Sequence, residues 1–277
     1  MKSKLIIFVF LFLFPSISSF EGEVNYSDQT TWGGICVTGD SQSPIDIPAK
    51  KDCTKDNSYA KIVKVNYSKI SGENVEFANE YTYRIKTKNN GGITVKINDV
   101  EYIYELNNIH FHLNSEHTFN GKSYEMEMHL VHELSDESES KDPNDKNEYL
   151  VIAIVYTVSG TKDDDFIDKV NFDTQDDVNN LDLKQFVSDS KSFYYYHGSL
   201  TTPHCDESVN WIVMDNIYTM STSQFEDFQN FIQQEYPDGN NREVKPLNGR
   251  KVYYVKGSSS KCVSLSFLSV LLLFIIL

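Results

Sequence analysis

The sequence predicts a single, mainly β domain with a large mixed sheet and short surface helices. Eight runs rich in β-forming residues follow one another, and several of them alternate apolar and polar side chains. Helical signals are few and short. No repeat or interdomain linker interrupts residues 20–257, a length that is sufficient to bury one sizeable core. Seventeen Tyr and seventeen Phe are scattered along the chain, which suits a β-rich interior.

The predicted strands can be placed in chain order from these runs. They are residues 62–67, 81–87, 93–97, 109–113, 125–132, 149–158, 209–214 and 252–255. The run 150–158 is apolar on both faces, which predicts a central strand. The sequence Asn-Asn-Gly-Gly at 89–92 is typical of a hairpin turn between the second and third strands.

One helix is expected to begin near residue 223. Ser223 is interpreted as its N-cap, and its apolar face toward the core is formed by Phe225, Phe228 and Phe231 with Ile232.

Both ends of the chain carry apolar segments that predict targeting signals. Residues 1–19 are predicted to be a secretory signal peptide, since Lys4 precedes a short apolar run and small residues follow Pro15. Residues 258–277 are predicted to be a GPI-attachment signal, because small residues precede a terminal apolar run. The alternative is a tail-anchoring transmembrane helix, for which that run is short. We therefore expect a protein of the secretory pathway that is lipid-anchored at the extracellular face of the cell membrane, or else secreted.

The charge of the chain excludes some classes of partner. A formal net charge of −15 argues against a nucleic acid or an anionic membrane surface. The acidic stretches at 136–148, 163–165 and 173–177 are predicted to be solvated loops. Asn25 and Asn66 each begin an N-glycosylation sequon, as a secreted chain permits.

Three of the seven histidines form a pattern that indicates a metal site. His110 and His112 lie two residues apart and so share one face of a strand, and Glu127 and His129 share a face of another. Two neighbouring strands can thus direct three imidazoles to one point. Three neutral imidazoles leave the fourth position of a tetrahedral Zn²⁺ open, which is the arrangement of a catalytic rather than a structural zinc site.

Three further motifs accompany the histidines. They are Gln42-Ser43-Pro44-Ile45-Asp46-Ile47, Ser115-Glu116-His117-Thr118 and Gly198-Ser199-Leu200-Thr201-Thr202-Pro203. Together they resemble the α-class carbonic anhydrases from about Trp32 to Tyr254, and the short link between His112 and Glu116 resembles bacterial and plant-type members. The resemblance implies a twisted sheet of about ten strands, zinc at the bottom of a conical cleft, and reversible hydration of carbon dioxide to bicarbonate.

The resemblance also implies roles around the metal. His110, His112 and His129 match the zinc ligands. Glu127 matches the carboxylate that accepts a hydrogen bond from His129. Asn108 stands where the family usually has a Gln that orients the first ligand, and it carries the same amide on a shorter arm.

The substrate side of the site is implied in the same way. Thr201 matches a gatekeeper hydroxyl that orients the attacking hydroxide and donates its own proton to a carboxylate, here Glu116. Thr202 is implied to contact bicarbonate. The apolar wall at which carbon dioxide docks matches Val131, Val151, Leu200 and Trp211.

Proton transfer is the clearest departure from the family. Tyr81 falls where fast members carry a proton-relay histidine, and a tyrosine with a pKa of about 10 is a poor relay at neutral pH. Proton transfer is therefore expected to limit turnover in dilute buffer. His197 and His204 flank the active-site loop and are the alternative relays, whereas His117 and His132 match positions with structural roles.

The cysteines suit an oxidising compartment. Cys36 and Cys205 match the positions of a disulfide in secreted members of the family. Cys53 is then left over, and the sequence leaves open whether it is free, buried or paired with another molecule.

Two other functions remain as alternatives. One is a non-catalytic, carbonic-anhydrase-like binding or adhesion protein at the cell surface; such relatives typically lack a zinc histidine, whereas all three are present here with Thr201 and Glu116. The other is a zinc hydrolase of esters, for which the sequence shows no pocket signature. The oligomeric state is left open.

Overall fold

The computed structural model describes residues 24–73, 75–78, 82–87, 89–138, 147–174 and 176–258. The predicted signal peptide, Tyr81 and all but the first residue of the predicted GPI signal lie outside these residues. The strands are β1 Asp46–Ile47, β2 Ala60–Val65, β3 Val75–Ala78, β4 Thr82–Lys86, β5 Gly92–Ile97, β6 Val100–Leu113, β7 Thr118–Phe119, β8 Met126–Leu134, β9 Tyr149–Val158, β10 Phe193–Gly198, β11 Val209–Met220 and β12 Tyr253–Val255.

Helices are short, as the sequence predicts. They are α1 Gly34–Thr38, α2 Asp165–Val170, α3 Thr222–Ile232 and the 3₁₀ helices Gln29–Trp32 and Leu183–Gln185. Within the described residues, no helix has the length and apolar character needed to cross a membrane.

Ten strands form one mixed sheet, which confirms the predicted fold class. Eight of them follow the order β12-β10-β11-β9-β8-β6-β4-β3, and β5 pairs with both β6 and β2. β9 and β11 are parallel, whereas β6, β8 and β9 are antiparallel neighbours. β9 lies between β8 and β11 and is buried over most of its length, as expected for a central strand.

The segment 89–92 is not a hairpin turn, contrary to the prediction. β4 and β5 both pair antiparallel with β6, so they run in the same direction along one edge of that strand. Between them, the Leu106 N–H donates to the Gly91 carbonyl at 2.9 Å and keeps the segment in the sheet. A Cβ on Gly91 would lie 1.9 Å from the carbonyl oxygen of Asn66, which follows β2, and a Cβ on Gly92 would lie 1.9 Å from that of Tyr104 on β6. The two glycines therefore permit a close approach of strands and do not reverse the chain.

Helix starts are set by capping side chains that the sequence did not single out. α3 is capped by Ser221, not Ser223, because Ser221 and Gln224 each accept a hydrogen bond from the other's backbone N–H. Ser223 and Glu226 have the same spacing, so the sequence contained two possible registers. Asp164, predicted to lie in a solvated loop, caps α2 with its carboxylate.

Alternation along the central strands separates two buried apolar clusters. The larger cluster contains Leu130 and Ile152, and the smaller contains their neighbours Val131 and Val151 together with Trp211. Because successive side chains of a strand point to opposite faces, the smaller cluster lies on the face that also carries His129.

The disulfide implied by the family resemblance is present. Cys36 and Cys205 are joined with a Cα–Cα distance of 5.1 Å, and they tie the N-terminal segment to the loop that follows Thr202. Cys53 is buried and forms no disulfide with another described residue.

Candidate metal centre

The three predicted ligands converge across two antiparallel strands. His110 on β6 faces His129 on β8, and His112 faces Glu127. The Nε2 atoms of His110 and His112 lie 3.1 Å and 3.2 Å from His129 Nδ1. With Zn–N distances of about 2.0–2.1 Å, tetrahedral ligands have their nitrogens roughly 3.3 Å apart. The spacing observed here therefore fits a zinc ion.

The remaining ring nitrogen of each imidazole faces an oxygen atom. The pairs are His110 Nδ1 with Asn108 Oδ1 at 2.9 Å, His112 Nδ1 with the Asn240 carbonyl at 2.8 Å and His129 Nε2 with Glu127 Oε1 at 2.7 Å. These oxygens accept hydrogen bonds, so in the neutral rings the protons lie on the outer nitrogens. The three inner nitrogens then direct lone pairs toward one another, an arrangement that a cation stabilises.

The ionisation states of the surrounding groups favour metal binding. Burial lowers the pKa of His110 well below its usual value, and the adjacent His129 and His112 lower it further. Burial also lowers the pKa of His112. Burial raises the pKa of Glu127, but its contacts with His117 and His129 outweigh burial and hold that pKa well below the usual range. The site thus combines neutral nitrogen donors with an ionised carboxylate behind them.

Two residues orient the ligands of β6. The shorter amide arm of Asn108 does reach His110, and a bulge between Leu106 and Asn108 precedes it in β6. The side-chain amide of Asn240 donates a hydrogen bond to the Phe111 carbonyl, which holds Asn240 against β6. The sequence did not single out Asn240, because its contact with His112 uses a backbone carbonyl, which leaves no signal in the residue type.

Glu116 and Thr201, predicted to act together, are both buried. Glu116 Oε1 lies 3.5 Å from His112 Nδ1, and Thr201 lines the cavity that contains His110 and His129. Glu116 Oε1 accepts from the backbone N–H of Arg242 at 2.8 Å, whereas Oε2 has no hydrogen-bond partner. No hydrogen bond joins Thr201 to Glu116 in this structure. A buried carboxylate oxygen without a donor is unfavourable, so Oε2 is available to a hydroxyl group.

A second group of possible ligands is explained by hydrogen bonds. His117, Glu127 and His129 lie close enough to hold a metal ion. However, Glu127 Oε1 lies 2.7 Å from His117 Nδ1 and 2.7 Å from His129 Nε2, and Oε2 accepts from the His117 backbone N–H. Protons therefore occupy the positions that a cation would need. His117 supports the carboxylate that orients His129, in keeping with its predicted structural role.

The residues predicted to contact substrate line one cavity. This cavity has a volume of about 320 Å³ and opens onto His110 and His129. Its predicted members are Thr201, Thr202, Leu200, Val131, Val151 and Trp211. Arg84, Glu133 and Tyr149 also line it and were not predicted to do so. The apolar part of the wall suits a small, uncharged substrate.

Neither alternative relay histidine lines this cavity. His197 is half-buried on β10 and His204 is exposed in the following loop. Within the described part of the chain, the cavity therefore contains no histidine beyond those of the candidate metal centre.

His132 gives the folded state a dependence on pH. Its Nδ1 donates to the Leu150 carbonyl at 3.0 Å, so its Nε2 accepts from the Tyr67 hydroxyl at 2.8 Å. Burial lowers the pKa of His132 to about 4. As pH falls below about 6.5, the unfolded chain takes up this proton before the folded protein does, and stability is lost until about pH 4.

When the pH is lowered from 7 to 5, we expect proton uptake by His132 in the unfolded chain to reduce the free energy of unfolding by on the order of 2 kcal/mol. Urea unfolding of wild type and His132→Asn would measure it. The variant should be less stable than wild type at pH 7, and the difference between their free energies of unfolding should be smaller at pH 5. If the difference in free energy of unfolding does not change with pH, His132 is not the source of the pH dependence.

Comparison with known proteins identifies relatives over nearly the whole described domain. A family profile described as eukaryotic-type carbonic anhydrase matches residues 27–256. A carbonic anhydrase of Klebsiella pneumoniae is 31% identical over 252 residues, which cover 87% of this chain and 92% of that protein. Alpha carbonic anhydrase 8 of Arabidopsis thaliana is 30% identical over 259 residues, which cover 85% of this chain and 62% of that protein.

Solved structures agree with the sequence relatives. The α-carbonic anhydrase of Thermovibrio ammonificans, in complex with the inhibitor sulfanilamide, has a TM-score of 0.59 and 29% identity, covering 79% of this chain and 89% of that one. Dioscorin complexed with ascorbate has a TM-score of 0.66 and 26% identity, covering 88% of this chain and 98% of that one.

Proposed function

This chain belongs to the family of eukaryotic-type, or α-class, carbonic anhydrases, and we propose that it is a zinc enzyme that reversibly hydrates carbon dioxide to bicarbonate and a proton. The observation that supports zinc most directly is the convergence of three imidazole nitrogens whose outer nitrogens are already hydrogen-bonded. His110, His112 and His129 would hold Zn²⁺, which would lower the pKa of a water molecule to about 7 and so supply a nucleophile at neutral pH.

The protein's own residues would position the reactants. Val131, Val151, Leu200 and Trp211 offer carbon dioxide an apolar surface and no charge. The hydroxyl of Thr201, by donating its proton to Glu116 Oε2, would be left as an acceptor and would orient the nucleophile. The unpartnered state of that oxygen supports this role. Thr202, beside Thr201 in the cavity, would contact the bicarbonate product.

A stopped-flow assay of carbon dioxide hydration on the purified mature protein, with zinc content measured on the same sample, tests this proposal. We expect about one zinc per chain and a rate far above that of buffer. A zinc-loaded but inactive protein would point to the binding or adhesion alternative, which no feature of the site favours.

We further propose that proton transfer limits turnover, because Tyr81 stands in place of a histidine relay. The wild type should then show a kcat that rises strongly with buffer concentration, while kcat/KM changes little. Tyr81→His should raise kcat in dilute buffer by about 10²-fold, the lower end of what a positioned proton-transfer group contributes. The same variant assayed in concentrated buffer is the control, since the difference should disappear there. If wild-type turnover is already independent of buffer, another group relays the proton.

We also propose that the mature domain, residues 20–257, is released from its signal peptide and attached to the outer face of the cell membrane through a GPI anchor. Asn25 and Asn66, the predicted glycosylation sites, are exposed, as modification requires. Phosphatidylinositol-specific phospholipase should release the protein from membranes. If it stays bound while a known GPI-anchored protein in the same sample is released, a transmembrane tail is the better explanation.

A further inference from the structure

Arg84 is a cation in the cavity to which the proposed mechanism gives no task. It lies on β4 opposite His110 of β6. Facing residues of adjacent strands have their Cβ atoms about 5 Å apart, so the two side chains are neighbours on one face. Arg84 lines the cavity together with Thr201 and Thr202, and its charge contributes to lowering the pKa of His110, after burial and the other imidazoles.

The guanidinium group of Arg84 has no partner in the described part of the chain. Its Nε is buried without a hydrogen-bond partner, and no hydrogen bond or ion pair joins its side chain to another described residue. Nε of Arg242 is likewise buried without a partner, but the guanidinium groups of the other two arginines each donate hydrogen bonds through their remaining nitrogens. Arg242 donates to the carbonyls of Ser43 and Cys36, and Arg250 donates to the carbonyl of Gln42. A guanidinium left unpaired in a cavity is therefore the exception in this protein.

Among the side chains that the structure describes, no carboxylate forms an ion pair with Arg84. Of the described residues that line the cavity, Glu133 alone is acidic. Its Oε1 instead accepts a hydrogen bond from Asn107 at 2.9 Å, and it forms no ion pair with Arg84. Arginine is a permanent cation, so with Zn²⁺ bound the cavity would hold two positive centres. An anion that contacts both would relieve this excess of positive charge.

We propose that Arg84 binds small monovalent oxyanions in the cavity and that the anion it holds during turnover is bicarbonate; the identity of that anion rests on the proposed function. The planar guanidinium matches an oxyanion, and a charge-assisted hydrogen bond to it is stronger than a neutral one. Uncharged carbon dioxide gains nothing comparable. Arg84 thus provides a charged contact for the bicarbonate product, whereas the apolar wall provides a surface for carbon dioxide.

Calorimetric titration of the zinc-loaded protein with nitrate tests this proposal, because nitrate is a planar monovalent oxyanion that does not react. Arg84→Gln should raise the Kd for nitrate about tenfold, the loss expected for one charge-assisted hydrogen bond. Arg84→Lys should restore part of the affinity. Zinc content should be the same in all variants.

Lys86→Gln is the matched control. It removes an equal charge from an exposed residue of the same strand that does not line the cavity, and it should leave the Kd nearly unchanged. An unchanged Kd in Arg84→Gln, or an equal rise in Lys86→Gln, would overturn the proposal, the latter by showing that only the field of the whole protein matters. Because anion binding is measured and not hydration, the outcome stands even if the zinc-loaded protein proves inactive toward carbon dioxide.

Discussion

His112→Ala is expected to lose zinc and carbon dioxide hydration together while the domain stays folded. The imidazole supplies one of three converging nitrogens, and two ligands hold zinc far more weakly than three. The sheet around it depends on backbone pairing and on apolar clusters that do not need the metal. We therefore expect zinc content well below one per chain, activity close to that of buffer, and an unchanged far-ultraviolet circular dichroism spectrum.

His132→Asn is the matched control for this experiment. His132 is as fully buried as His112 and lies on β8, but it points to the opposite face of the sheet from His129. The control should lose stability yet keep zinc and activity. If His112→Ala retains wild-type zinc content, the ligand assignment is wrong; if both variants lose zinc, the loss reflects damage to the fold.

The parts of this fold that the sequence predicted are those with a local periodic signal. β9 was placed at its observed bounds because its long apolar run is bounded by polar residues. His110 and His112 were predicted to be a pair of candidate ligands because the period of two places them on one face of a strand. His129, on a second strand, was added to the predicted set because the three histidines match the zinc ligands of the family. β10 was missed, since its run of Tyr194, Tyr195 and Tyr196 shows no alternation and both of its faces are buried.

Features that depend on contacts between distant segments could not be predicted in the same way. The glycines at 91 and 92 suggested a turn, yet they are needed because the backbone oxygens of Asn66 and Tyr104 come too close to leave room for a Cβ atom. Arg84 lies within a predicted strand, but only the pairing of β4 with β6 places it next to His110. The contact of Asn240 with His112 spans more than a hundred residues and uses a backbone atom. Local sequence carries no information on any of these.

Thr201→Ala is expected to keep zinc and to lower kcat/KM for hydration by about 10²-fold, the loss typical of one preorganised hydrogen-bonding group. Thr201 lines the cavity but provides none of the three converging nitrogens, so the metal should remain. Glu116 Oε2, buried and without a donor, is the acceptor that would fix the direction of the hydroxyl proton. Without that hydroxyl the nucleophile would no longer be oriented, although the metal that would generate it would still be bound.

Two controls separate orientation from simple crowding of the cavity. Thr201→Ser keeps the hydroxyl and removes only a methyl group, so it should retain most of the activity. Thr202→Ala shortens the neighbouring side chain in the same cavity and should cost much less than Thr201→Ala, since its hydroxyl is assigned to the product and not to the nucleophile. Stopped-flow kinetics with zinc content measured on each variant gives the comparison. Equal rates for wild type and Thr201→Ala would remove Thr201 from the mechanism and leave the unpartnered oxygen of Glu116 without a function, because no other hydroxyl has been assigned to it.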